Sequence, residues 1–146
     1  MTEDGKVEII QGKGHEFGYR KSIFHANKGV ILSARIILKK GNQENILSIM
    51  KDLSEKRRDK QPLEMPSAGS VFKRPEGSYA GKLIMESGLK GKQIGGAMVS
   101  EKHAGFIVNT GNATAENVLN LMDYIREEVF KNFKIELMPE IKIVGE

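Results

Sequence analysis

Val118, Met122, Ile125 and Val129 recur at spacings of four, three and four, the period at which side chains stack along one side of an α-helix. Glu116, Asn117, Asp123 and Arg126 remain available to solvent, and Thr114 supplies an N-terminal cap. A helix with one apolar stripe has to bury it, so the rest of the chain must furnish a surface. Alternating segments supply one. Gly29 to Lys40 predicts a strand with Val30, Leu32, Ala34, Ile36 and Leu38 on one face and Ser33, Arg35 and Lys39 on the other. Ile94 to Ser100 and Ala104 to Asn109 read as two further strands joined in a hairpin. Lys134 to Val144 alternates around Pro139, which lacks an N–H and therefore belongs at a sheet edge or a bulge. Two more helices are expected. Asn42 caps one carrying Ile46, Ile49, Met50 and Leu53, and Ala80 to Ser87 forms a shorter one stopped by Gly88. The expected fold class is α+β, a mostly antiparallel sheet with helices covering one face.

The chain has 146 residues, enough for one domain, or one domain and a fragment of another, with a real core. With 39% hydrophobic and 29% charged residues it has the balance of a folding sequence. It has no cysteine, which excludes disulfides, thiolate nucleophiles and cysteine metal sites and suits a reducing compartment. His15, His25 and His103 have no metal-ligand spacing, so no metal is expected. No apolar run approaches the roughly 20 residues of a membrane span, and Met1-Thr2-Glu3-Asp4-Gly5 lacks the features of a signal peptide. A cytoplasmic location with no membrane contact is the expectation. The net charge of +4 favours anionic ligands without choosing among them.

Pro62, Pro66 and Pro75 bracket a segment with Ser70 beside Gly69 and two cations, Lys73 and Arg74, downstream. A hydroxyl releases its proton only where neighbours stabilise the alkoxide, which such cations can do. Read alone, a serine in a glycine loop is more often a turn residue. Arg20 follows Tyr19, and its guanidinium fork suits a carboxylate, though such a pair is common on surfaces. Glu140 would project opposite Ile141 on a strand, as an ordinary exposed glutamate also does. The run Lys56-Arg57-Arg58-Asp59-Lys60 complements the carboxyl end of a helix. Gly12-Lys13-Gly14 and Gly95-Gly96 match no nucleotide-binding fingerprint.

In order and spacing these pieces resemble the UDP-N-acetylenolpyruvoylglucosamine reductase (MurB) family, also called UDP-N-acetylmuramate dehydrogenases. Phe17-Gly18-Tyr19-Arg20-Lys21-Ser22-Ile23-Phe24 is similar to its arginine motif, and Lys60-Gln61-Pro62 through Pro75 to its serine motif. Ala80-Gly81-Lys82-Leu83-Ile84, Gly95-Gly96-Ala97 with Val99-Ser100, Asn109 through Thr114, and Pro139-Glu140-Ile141 continue the series. The resemblance implies a flavoenzyme of peptidoglycan synthesis, cell wall biogenesis, cell shape and cell division. In it NADPH reduces FAD and hydride passes to UDP-N-acetylglucosamine enolpyruvate. It implies Ser70 as proton donor, with Arg20 and Glu140 stabilising charge. Lys60, Arg74 and Tyr19 would bind substrate, the two cations near its diphosphate, in a member with the shorter substrate-binding region.

Family members are about twice as long, and their first half supplies flavin-binding motifs with no counterpart in this sequence. Residues 1–41 resemble the end of the FAD-binding domain, and residues 42–146 the substrate-binding C-terminal domain. Activity is therefore expected only with a separate FAD-binding half. Two other functions remain open: a stand-alone UDP-sugar-binding module without catalysis, and a nucleic-acid-binding domain using Lys56 to Lys60 with Lys73-Arg74. Against the second, the chain has only three tyrosines and six phenylalanines and no nucleic-acid motif, so no nucleic acid is expected.

Overall fold

The computed structural model describes residues 1–18, 21–26 and 29–144. The chain divides into two compact units, Met1–Gly41 and Asn42–Glu146.

The first unit holds a short 3-10 turn, Gly12–His15, and one helical turn, α1, Ile23–Ala26. Its first residue is tied to Val30, whose N–H donates to Met1 O at 2.8 Å while the Met1 ammonium donates to Val30 O at 2.7 Å. The strand expected over Gly29 to Lys40 is absent: residues 29–41 form no ladder, and Val30, Leu32, Ile36 and Leu38 are 57%, 58%, 78% and 82% exposed. Alternation specifies which side chains a strand would bury, but a strand exists only beside a neighbour that accepts its N–H groups and covers that face. Within Met1–Gly41 no such neighbour is described.

In the second unit, α2 spans Gln43–Lys60, with Asn42 Oδ1 accepting from Asn45 N at 3.0 Å. The stripe is amphipathic as expected, yet α2 buries none of its residues. The sheet comprises β1 Ser67–Ser70, β2 Gln93–Ile94, β3 Ala97–Val99 and β4 Phe106–Asn109, in the order β1-β4-β3-β2 with antiparallel neighbours. The run Ile94 to Ser100, expected as one strand, is two, because Gly95 adopts φ +54° and turns the chain between β2 and β3. The segment around Pro139 is an edge: Pro139 bridges Phe72, with Lys73 N–H donating to Met138 O and Glu140 N–H to Val71 O, both at 2.8 Å.

Two helices complete the unit, α3 Ala80–Glu86 and α4 Ala115–Phe133. Gly88, at φ +72°, follows the end of α3. Thr114 Oγ1 accepts from Asn117 N at 3.1 Å while Asn117 Oδ1 accepts from Thr114 N at 3.2 Å, a reciprocal cap that opens α4. Leu121, Met122, Ile125 and Val129 of α4 pack with Ala97, Val99 and Ile107 of the sheet and Leu83 and Ile84 of α3. The α+β class, with an antiparallel sheet and helices, is borne out.

Asn117 also fastens the β2–β3 turn, because its Oδ1 accepts from Gly96 N at 3.3 Å. A Cβ on Gly96 would overlap the backbone of Asn112 and Ala113. Gly96→Ala is therefore expected to cost about 1–3 kcal/mol by overpacking, read as a lower midpoint in thermal unfolding followed by circular dichroism. An unchanged midpoint would mean that the turn yields freely.

Candidate functional site

Register determines where Ser70 lies. Ala97, Val99 and Ile107 belong to the core beneath α4, so the alternate residues Met98, Phe106 and Val108 point to the other face. Ser70 pairs with Phe106 and Ser67 with Val108, which puts both serines on that second face, away from α4. Three residues of β1 thus span two of β4, a bulge with Gly69 at φ +86°. Ser70 is exposed, and its hydroxyl has no hydrogen-bond partner among the described residues.

Val71, the next residue, is 2% exposed and held from both sides. Its N–H donates to Gly105 O at 2.9 Å and its O accepts from Glu140 N at 2.8 Å. Two expected site residues far apart in sequence, Ser70 and Glu140, are thereby brought close, Ser70 adjoining Val71 in the chain and Glu140 bonded to it through its backbone N–H. The Glu140 side chain is exposed.

The cations fare differently. Arg74 lies over the Tyr79 ring at 3.9 Å and its Nε donates to Ser78 O at 3.3 Å, so its guanidinium is engaged with its own turn rather than with Ser70. It lines a groove with Lys73, Pro75, Glu76, Ile135, Glu136 and Met138. Lys60 is the exposed last residue of α2. Arg20 and Tyr19 lie outside the described residues.

Sequence reasoning passed over His103 as one of three scattered histidines. Its Nδ1 accepts from Gly105 N at 3.1 Å, and its ring meets the edge of Phe106 at 4.9 Å between centroids. No motif announces this, because the contact depends on how the loop between β3 and β4 folds. Ser100, 3% exposed, shapes that loop by accepting from Lys102 N and His103 N, each at 3.2 Å. Lys102 reaches Glu64 at 3.4 Å and ties the loop to the segment preceding β1. A hydrogen bond from its own backbone N–H lowers the pKa of the Glu64 carboxyl, desolvation opposes it, and Lys102 adds to the lowering. Among the described residues no group of three or more histidine or acidic side chains could hold a metal ion, and no helix is long and apolar enough to cross a membrane.

The arrangement offers an exposed hydroxyl at the end of β1 with a glutamate on the segment bridged to the residues that follow it. Comparison with known proteins gives it a context. Residues 61–144 match the family model described as UDP-N-acetylenolpyruvoylglucosamine reductase, C-terminal domain. A protein of that reductase name from Caldanaerobacter subterraneus subsp. tengcongensis is 54% identical over all 146 residues, which cover 48% of its length. Another from Lachnoclostridium phytofermentans is 50% identical over the whole chain, covering 47% of its own. The chain spans about half the length of the curated relatives it matches. Among solved structures, UDP-N-acetylenolpyruvylglucosamine reductase (MurB) from Thermus caldophilus superposes with a TM-score of 0.68 at 40% identity, over 83% of this chain and 43% of that one.

Proposed function

Because the chain belongs to the UDP-N-acetylenolpyruvoylglucosamine reductase family, we propose that it is the substrate-side, C-terminal part of such a reductase, converting UDP-N-acetylglucosamine enolpyruvate to UDP-N-acetylmuramate for peptidoglycan in the cytoplasm. In this reading residues 42–146 form the substrate-binding domain and residues 1–41 the end of a cofactor-binding domain. The ladder partner that residues 31–40 lack among the described residues would then be the remainder of that domain.

The complete enzyme would use FAD and NADPH. The groove beside Arg74 has two glutamates and no aromatic wall on its rim, a lining that does not fit a flavin. Both cofactors would then be held by the remainder of the enzyme. This chain's own residues do proton and charge chemistry. Ser70 gives the proton of its hydroxyl to the substrate carbon that carries the carboxylate and the ether oxygen. Arg20, with Tyr19 beside it, neutralises the charge that builds on the carboxylate side, and Glu140 completes the polarising set. Lys60 and Arg74 meet the diphosphate, Arg74 after leaving its stack on Tyr79.

The observation that carries this reading is the backbone bond from Glu140 N to Val71 O at 2.8 Å, beside an exposed Ser70 whose hydroxyl has no hydrogen-bond partner among the described residues. Mixing the chain with a flavin-bearing half should restore NADPH oxidation that depends on the enolpyruvyl UDP-sugar. If both halves are folded and the mixture is inactive, the reading fails. Calorimetric binding of the sugar nucleotide by the chain, without turnover in the mixture, would favour a binding module instead.

A further inference from the structure

We propose that His103 is a positioning residue for Ser70, acting through the Gly105 peptide; this rests on the proton-donor reading of Ser70. Gly105 faces two ways. Its N–H donates to His103 Nδ1 at 3.1 Å, and its carbonyl accepts from Val71 N at 2.9 Å. A Cβ on Gly105 would lie 3.0 Å from His103 Cε1, 3.1 Å from His103 Nδ1 and 3.5 Å from Ser70 Oγ. The imidazole and the hydroxyl therefore flank the same small gap, which only a glycine leaves open.

His103 also grips the second neighbour of Ser70. Phe106, the β4 partner of Ser70, packs edge-on against the imidazole and donates its N–H to the His103 carbonyl at 2.9 Å. On the remaining side stands Gly81 of α3, where a Cβ would lie 3.3 Å from His103 Cε1 and 3.2 Å from Gly105 N. Gly105 and Phe106, which face the end of β1, are thus both set by His103. Because Nδ1 accepts, a neutral ring carries its proton on Nε2, and this tautomer keeps the Gly105 N–H satisfied. A reacting hydroxyl displaced by a fraction of an ångström loses turnover, so the device acts on geometry rather than on affinity.

His103→Leu keeps bulk and removes the acceptor. His103→Asn restores one, since Asn109 Oδ1 already accepts from Gly111 N at 2.8 Å across the same two-residue spacing. In the 146-residue chain, amide exchange at Gly105 and Val71 should speed roughly tenfold or more in His103→Leu, with little change in distant helical amides, and return towards the original rate in His103→Asn. In the complete enzyme, His103→Leu should lower kcat about tenfold or more with KM within about threefold, and His103→Asn should recover most of it. Unchanged exchange at both amides in His103→Leu overturns the proposal, as does an equal loss of kcat in both variants. Should the unaltered complete enzyme fail to reduce the enolpyruvyl sugar nucleotide, the functional reading falls, while exchange at the two amides still decides whether His103 holds this strand.

Discussion

In the complete enzyme, Ser70→Ala should lower steady-state turnover about a hundredfold or more, the usual contribution of a positioned proton donor. Stability should stay within about 0.5 kcal/mol, because the side chain is exposed and its hydroxyl has no partner among the described residues to leave unsatisfied. The two readouts separate a chemical role from a structural one. KM for the sugar nucleotide should change little, since the lost interaction belongs to the transition state. Turnover within about threefold of the unaltered enzyme would remove Ser70 from the proton-donating role.

The largest effect on stability is expected at Ile125, which is 0% exposed on the apolar face of α4. Ile125→Ala removes buried methyl and methylene groups beneath the sheet and leaves a cavity that neighbours fill only in part. A loss of about 2–5 kcal/mol follows from that mechanism, measured by urea unfolding of the chain. A loss below about 1 kcal/mol would mean that α4 is loosely seated. For a domain of marginal stability, the expected loss is a large fraction of the total.

The second unit was legible where local signals and packing agree. The spacing of Val118, Met122, Ile125 and Val129 marks α4, and Thr114 and Asn42 cap their helices as read. Pro139, without an N–H to give, lies at an edge bridge. The errors have two causes. Alternation over residues 29–40 is a statement about faces, and a strand is a statement about partners. The run from Ile94 to Ser100 misled for a different reason, since side-chain pattern does not record a left-handed backbone at Gly95.

At the site, the sequence could nominate Ser70 and Glu140 but not their proximity, which depends on Val71 bonding to both sides. Arg74 shows the converse. Two cations close to Ser70 in the chain suggested a local field, yet the guanidinium turns onto Tyr79. His103 carried no signal because its role lies in a loop contact and in the absence of a Cβ on Gly105.

The bulge at Gly69 makes the handedness of this site a matter of counting. Between Ser67 and Ser70 the bulged strand spends three residues where its partner spends two, so if the extra residue were absorbed into a regular ladder with Ser67 still opposite Val108, Ser70 would turn through the sheet toward the α4 side. Losing the bulge in that way would change no charge and remove no named functional group, and yet it would leave the reactive oxygen on the wrong side of the molecule. Substitutions at Gly69, which holds φ +86° in the bulge, should therefore be tolerated far less than substitutions at Ser67 or Ala68.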